Sequence, residues 1–203
     1  MFNRAGFVFA VCLLLSFIAA AQDHKIEVSL SGGDAISSST DGEGVSHTAT
    51  QSLAVIGTAR LRFSKRSAVE INYGHSKDSQ KYETGTLSYR IPTTVTEFTG
   101  DYVYSFMQSE KLHPFFLAGA GILVFNPTSS FINDILTPVG DVRQTRAAFL
   151  YGFGADYRIT SRFSARVQYR GFFFSSPDFS VPVLFTGGHA HMAEPSVGIV
   201  FGF

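Results

Sequence analysis

The chain closes on Pro195-Ser196-Val197-Gly198-Ile199-Val200-Phe201-Gly202-Phe203. Steps of two back from Phe203 meet Phe201, Ile199, Val197 and Pro195, while the alternate positions are Gly202, Val200, Gly198, Ser196 and Glu194. This is a period-two strand with one apolar face and one small or polar face. An aromatic at the end of an exposed apolar face is poorly solvated in water. It is well placed if that face meets lipid and the strand closes a barrel.

The same period recurs along the chain. Lys25 to Ser31 sets Ile26, Val28 and Leu30 against Glu27 and Ser29. Residues 48–63 set Leu53, Val55, Gly57, Ala59, Leu61 and Phe63 against Thr58, Arg60 and Arg62. Residues 68–75 and 93–107 alternate likewise, as do 144–159 and 163–173. Residues 114–125 are apolar on both faces, so their facing stays open. Three polar stretches, 64–67, 108–113 and 160–162, read as short turns; 32–47, 76–92, 126–141 and 174–189 read as long loops. About eight strands with short and long connections in alternation describe an all-β, transmembrane, antiparallel up-and-down barrel. Both termini then lie on the short-turn, periplasmic side.

The charges support a barrel over a soluble sandwich. Opposite the aromatics lie Glu27, Arg60, Arg62, Glu70, Glu97, Asp101, Arg146, Asp156, Arg158, Arg166, Arg170 and Glu194. An eight-stranded barrel has an interior that side chains fill. Acids and bases are nearly balanced on this face, which predicts ion pairs plugging the lumen. Counted from the short turns, Glu70, Asp101, Asp156 and Arg166 fall low, and Glu97, Arg170 and Glu194 higher. Phe63, Tyr104, Phe106, Tyr157, Phe163, Phe201 and Phe203 gather near strand ends, as an interfacial aromatic girdle does.

Residues 1–21 have the layout of a cleaved secretory signal: Arg4, an apolar run from Gly6, and Ala19-Ala20-Ala21 before Gln22. The remainder, 22–203, is long enough for one domain. The single cysteine, Cys12, leaves with the signal, and Val11 before it does not suit a lipoprotein. A thiol-free mature chain fits an exported protein. Loss of Arg4 takes the formal charge from zero to −1, which provides no basic footprint for nucleic acid.

The final strand resembles the C-terminal recognition signal of bacterial outer-membrane barrels. Val197, Ile199, Phe201 and Phe203 would then be read by the assembly machinery. The whole mature chain resembles the small outer-membrane β-barrel superfamily of the OmpA transmembrane domain and OmpX, most closely in Gly152-Phe153-Gly154-Ala155-Asp156-Tyr157-Arg158 and Ala165-Arg166-Val167-Gln168-Tyr169-Arg170. The resemblance implies an outer-membrane location and contact with outer-membrane lipid. It leaves activity open among adhesins, anchors, small channels and a few lipid-modifying enzymes. No domain is expected after Phe203, so the peptidoglycan-binding half of an OmpA-type protein is not expected.

A lipid A deacylase of this fold would be expected to carry a His-x-Ser pair on a late strand, where this chain reads Gly171-Phe172-Phe173-Phe174-Ser175; none of its histidines stands two residues before a serine. His189 and His191 share a strand face without a third ligand in sequence, and Asp41 and Glu43 lie in a solvated loop. Gly119/Gly121 and Gly152/Gly154 sit in strands and lack a third glycine, so they are not phosphate loops. No catalytic residue, metal or cofactor is expected. The favoured expectation is a structural or surface-interaction protein working through its long loops, with an unidentified surface ligand. The alternative is a narrow channel for ions or small solutes, lined by Glu97, Asp101, Arg166 and Arg170. A membrane-embedded hydrolase ranks third.

Overall fold

The computed structural model describes residues 26–107 and 109–203. The expected signal segment lies outside them, as does Lys25. Eight long strands form the wall: β1 (Ile26–Ser37), β4 (Ser52–Arg62), β5 (Ser67–Thr84), β6 (Leu87–Ser105), β7 (Leu112–Pro127), β10 (Gln144–Arg158), β11 (Phe163–Ser175) and β12 (His189–Gly202). Four short strands stand at the long-loop end: β2 (Thr40–Gly42), β3 (Val45–Ala49), β8 (Phe131–Ile132) and β9 (Ile135–Leu136). Every neighbouring pair in the wall is antiparallel. The seam closes where β1 meets β12, with Glu27 opposite Gly202 and Leu30 opposite Ile199. The sheet is therefore an up-and-down barrel without an edge inside the wall.

Its outer surface carries the apolar residues of the period-two pattern. Leu30 is 65% exposed, Leu53 79%, Ile71 69% and Val197 62%, an arrangement that lipid satisfies and water does not. Rings border this band. Phe63 lies near Tyr102, Phe106 stacks on Phe116, and Phe163 and Phe201 meet at the short-turn end. Tyr73 with Phe98, and Tyr151 with Phe173, mark the other border.

The sheet differs from the expectation above that border. A spanning strand needs about ten residues, yet β5 and β6 run for 18 and 19. The stretch 76–92, read as a loop, is a ladder that pairs Ser76 with Val95 and continues to Thr84 opposite Leu87, turning at Gly85 with φ +57°. Residues 32–37, also read as loop, extend β1 between β4 and β12. The strand expected over 48–63 is two, since β3 ends at Ala49 and β4 begins at Ser52. Residues 114–125 now have a facing: Phe115, Leu117, Leu123 and Phe125 are buried inside, while Phe116 and Ile122 are exposed outside.

Gly119 and Gly121 take inward positions on β7, where a Cβ would meet the β6 backbone at Gly100 and Phe98. We expect Gly121→Val to strain this pairing by about 1–3 kcal/mol. The check is the urea midpoint of the refolded barrel, read by its heat-dependent gel shift.

Candidate functional site

Two layers of charge cross the lumen. In the lower layer, Arg60 on β4 faces Glu70 on β5, and Asp156 on β10 faces Arg166 on β11. These strand pairs lie on opposite walls, so each arginine reaches across the barrel. Arg60 donates to Glu70 at 2.5 Å and to Asp156 at 2.8 Å. Arg166 donates to Asp156 at 2.7 Å and to Glu70 at 3.1 Å. The four side chains close a ring of alternating sign, fully enclosed by protein. The Phe115 ring lies 4.7 Å from the Arg60 guanidinium and 5.3 Å from that of Arg166. A planar guanidinium can fork to two carboxylates and stack at once, which an ammonium cannot.

Glu27 and Arg62 pair at 2.6 Å on the short-turn side of this ring. On its other side Asp101 accepts from Asn72, whose amide oxygen accepts from Thr58 at 2.6 Å. The upper layer is Arg170 on β11, bonded to its neighbour Glu194 on β12 and to Glu97 across the barrel at 2.5 Å. Gly74 lies opposite Glu97 in register, and a Cβ there would strike the Glu97 carboxylate. Its bare backbone leaves the space through which Glu97 reaches Arg170.

Of the charges predicted to line the lumen, Arg158 does not join these layers. It is exposed at the short-turn mouth, past the end of the enclosed ladder. Arg146 lies above them and pairs with Asp178 at 3.2 Å. Four arginines and six carboxylates therefore remain inside, so the near-balance read from the face alone shifts toward acid. Val197, Ile199 and Phe201 line the outward face of β12, and Phe203, just past its end, packs against Phe201. His191 bonds the Tyr151 hydroxyl at 2.9 Å within the upper aromatic border, and His189 is exposed beyond it.

Sequence reasoning missed the cap. The segment 176–188 folds into the long-loop mouth instead of standing in solvent, burying Phe179 and Leu184 against Tyr82, Ile91, Leu150 and Phe174. Gln144 clamps it, accepting from the backbone N–H of Asp178 at 2.9 Å and of Phe179 at 3.1 Å while donating to the Asp178 carboxylate at 2.7 Å. Tyr82 donates to the Pro177 carbonyl at 2.7 Å. Ser176 lies 2.8 Å from His47 Nδ1, and His47 Nε2 lies 2.7 Å from Gln80 Oε1. Gln80 donates to Asp78, which leaves its oxygen to accept from Nε2–H and leaves Nδ1 to accept from Ser176. A serine bonded to a histidine is a nucleophile–base arrangement in form. Both groups are buried, Ser176 at the start of the cap and His47 on the wall facing it, and their hydrogen bond makes a clasp. The available signal was the loop's own apolar content, Phe179, Val181 and Leu184, excessive for a solvated loop.

These features define the class: a closed eight-stranded outer-membrane β-barrel with an ion-paired interior and a folded cap. A family model described as "Outer membrane protein beta-barrel domain" matches residues 7–199, and the chain belongs to that family. No curated protein matches the chain. Among solved structures it is similar to Neisserial surface protein A (15% identity, TM-score 0.60, covering 88% of this chain and 97% of that one). It is similar also to OprG of Pseudomonas aeruginosa (16%, 0.57, 91% and 99%). A third is Ail, the attachment invasion locus protein of Yersinia pestis, solved with the heparin analogue sucrose octasulfate (14%, 0.50, 88% and 99%). At these identities the likeness is one of fold.

Removing Arg170 leaves Glu97 and Glu194 buried without their cation. We expect Arg170→Met to cost about 3–5 kcal/mol in urea unfolding, and Glu194→Gln less, since Glu97 still neutralises Arg170.

The cap responds to pH through two opposed groups outside the membrane span. Burial holds the His47 imidazole below its usual range, partly offset by the Gln80 hydrogen bond. Burial lifts the Asp78 carboxyl to about 6, partly offset by the hydrogen bond from Gln80. His47 costs stability as pH falls below about 6.5, where the unfolded imidazole takes up a proton first. For Asp78, stability is lost as pH rises through about 6. Asp78→Asn leaves His47 acting alone. In that background, labelling of Leu184→Cys, normalised to unfolded chain at each pH, should quicken severalfold from pH 7.5 to 5. With Asp78 present the change should be smaller.

Proposed function

We propose that this chain is a closed outer-membrane barrel serving as a rigid body for its long-loop end, in surface contact or envelope integrity. Double closure of the lumen carries the reading. The two charged layers tie opposite walls together, and the cap seals the mouth above them with apolar side chains. The end beyond the cap offers surface for contact. Ile135 is 70% exposed and Leu136 66%, on a short hairpin joined to β6 through Tyr89 and Ile132, well past the aromatic border at Phe98. Apolar residues exposed beyond the lipid band mark contact surface. Attachment, in the name of the Yersinia pestis protein, belongs to that protein; here the exposed rim supports surface contact.

The carboxylate excess keeps the channel reading as the second one, with cation preference if the layers part. Planar-bilayer conductance of the refolded chain separates the two. Wild type should be silent, and so should a variant with residues 177–186 replaced by a short Gly-Ser link. That deletion combined with Arg170→Met and Arg60→Ser, which breaks both charged layers, should give small cation-selective steps. Reproducible steps from folded wild type would overturn the closed-body reading.

A further inference from the structure

The three short turns of the wall share one construction. Ser64 Oγ accepts from the N–H groups of Arg66 at 3.2 Å and Ser67 at 2.9 Å. Ser109 Oγ accepts from Lys111 at 3.3 Å and Leu112 at 3.0 Å. Thr160 Oγ1 accepts from Arg162 at 3.3 Å and Phe163 at 3.0 Å. A hydroxyl that caps the second and third following amides fixes such a turn whatever side chains it displays. Nothing in this motif requires a basic residue, yet each turn sets one at its third position: Arg66, Lys111 and Arg162.

All three are exposed, as are Lys65 and Arg158 at the same end; among the described residues the exposed side chains add one carboxylate there, Glu110, while the half-buried Glu27 is paired with Arg62. The opposite end has the reverse balance, with carboxylates outnumbering cations. A chain that is formally neutral overall is thus basic at its short-turn rim. The rim also lies at a defined depth. Phe63 directly precedes the first turn, Phe106 lies beside the second and Phe163 directly follows the third; all are exposed at the lower border of the lipid band. Aromatic rings favour the membrane–water interface, and cations a few ångströms beyond them meet lipid phosphates.

We propose that the short-turn rim is a binding surface for anionic phospholipid headgroups, with Arg66, Lys111 and Arg162 as its repeated contacts. The three turns grip the leaflet on their side electrostatically, which sets the depth of the barrel and resists tilting. Each cation near an anionic leaflet is worth roughly a factor of five in partitioning. The inference does not depend on whether the lumen is closed.

The test uses refolded chain in mixed micelles with equal phosphatidylcholine and phosphatidylglycerol, folding being confirmed by gel shift. Lipids that stay bound are counted by native mass spectrometry. Phosphatidylglycerol should be retained in at least about fivefold excess. The excess should fall toward parity in Arg66→Gln/Lys111→Gln/Arg162→Gln and persist in Arg66→Lys/Arg162→Lys. It should also persist in Lys77→Gln/Lys81→Gln/Arg90→Gln, which removes equal charge from the other end. Equal retention of both lipids by wild type overturns the proposal. An equal fall in the second triple variant also overturns it, by making the effect one of net charge. Should the first triple variant not fold, salt decides on wild type: an excess undiminished from about 0.05 to 0.5 M is not electrostatic and sinks the idea.

Discussion

Backbone amides and carbonyls have no water to bond within a bilayer, so a spanning sheet must pair its first strand with its last. Here β1 meets β12, and the other features of the wall depend on that seam. Once the sheet closes, the period of two gives each residue one of two surroundings, lipid or lumen, with no intermediate. Leu30 and Ile199 take the lipid at the seam, while Ser31 and Gly198 turn inward. A shift of one residue would send the whole inward set of a strand into hydrocarbon, so the charged interior helps hold the register.

Closure also sets what the lumen holds. Eight strands leave a bore that side chains fill, and a lone charge there would be expensive. The ring of Arg60, Glu70, Arg166 and Asp156 answers by giving each arginine two acids and each acid two arginines. Such a ring adds little net stability over an apolar filling of equal shape. Its effect is to oppose slippage, because two of its bridges join register partners on adjacent strands and the other two tie those pairs together across the lumen.

The membrane-spanning part was legible for one reason: lipid outside and charge inside write strict alternation into the chain. Where the two surroundings become alike, the signal fades. In β7 the inward Phe115 packs against two guanidinium groups and Leu123 and Phe125 belong to the apolar cluster that includes the cap, so both faces are apolar and the facing was unreadable. In 77–81, Lys-Asp-Ser-Gln-Lys, both faces are polar, yet the strand persists because its ladder to β6 continues from below. The clasp around His47 was hidden differently. His47, Gln80 and Ser176 are far apart in sequence, and no spacing rule joins them. Arg158 shows the converse error: the correct face of a strand does not ensure enclosure when the residue stands at its end.

The cap is more than a consequence of a narrow bore, because the charged layers already close the lumen beneath it. Its turn holds Phe179 at φ +51° and Ser180 at φ +61°, a conformation that L-residues take at a cost of about 1–3 kcal/mol each. Backbone so strained persists only when its surroundings over-determine it, as the Gln144 clamp, the Tyr82 hydroxyl and the buried Phe179 ring do here. A loop serving only as an entropic cover would not need two strained residues and three anchors. Anchoring leaves little conformational freedom to lose when another surface docks, which favours binding. The cap therefore makes physical sense as the floor of a preorganised outer face, on which the exposed apolar hairpin at Ile135 and Leu136 stands beside the mouth.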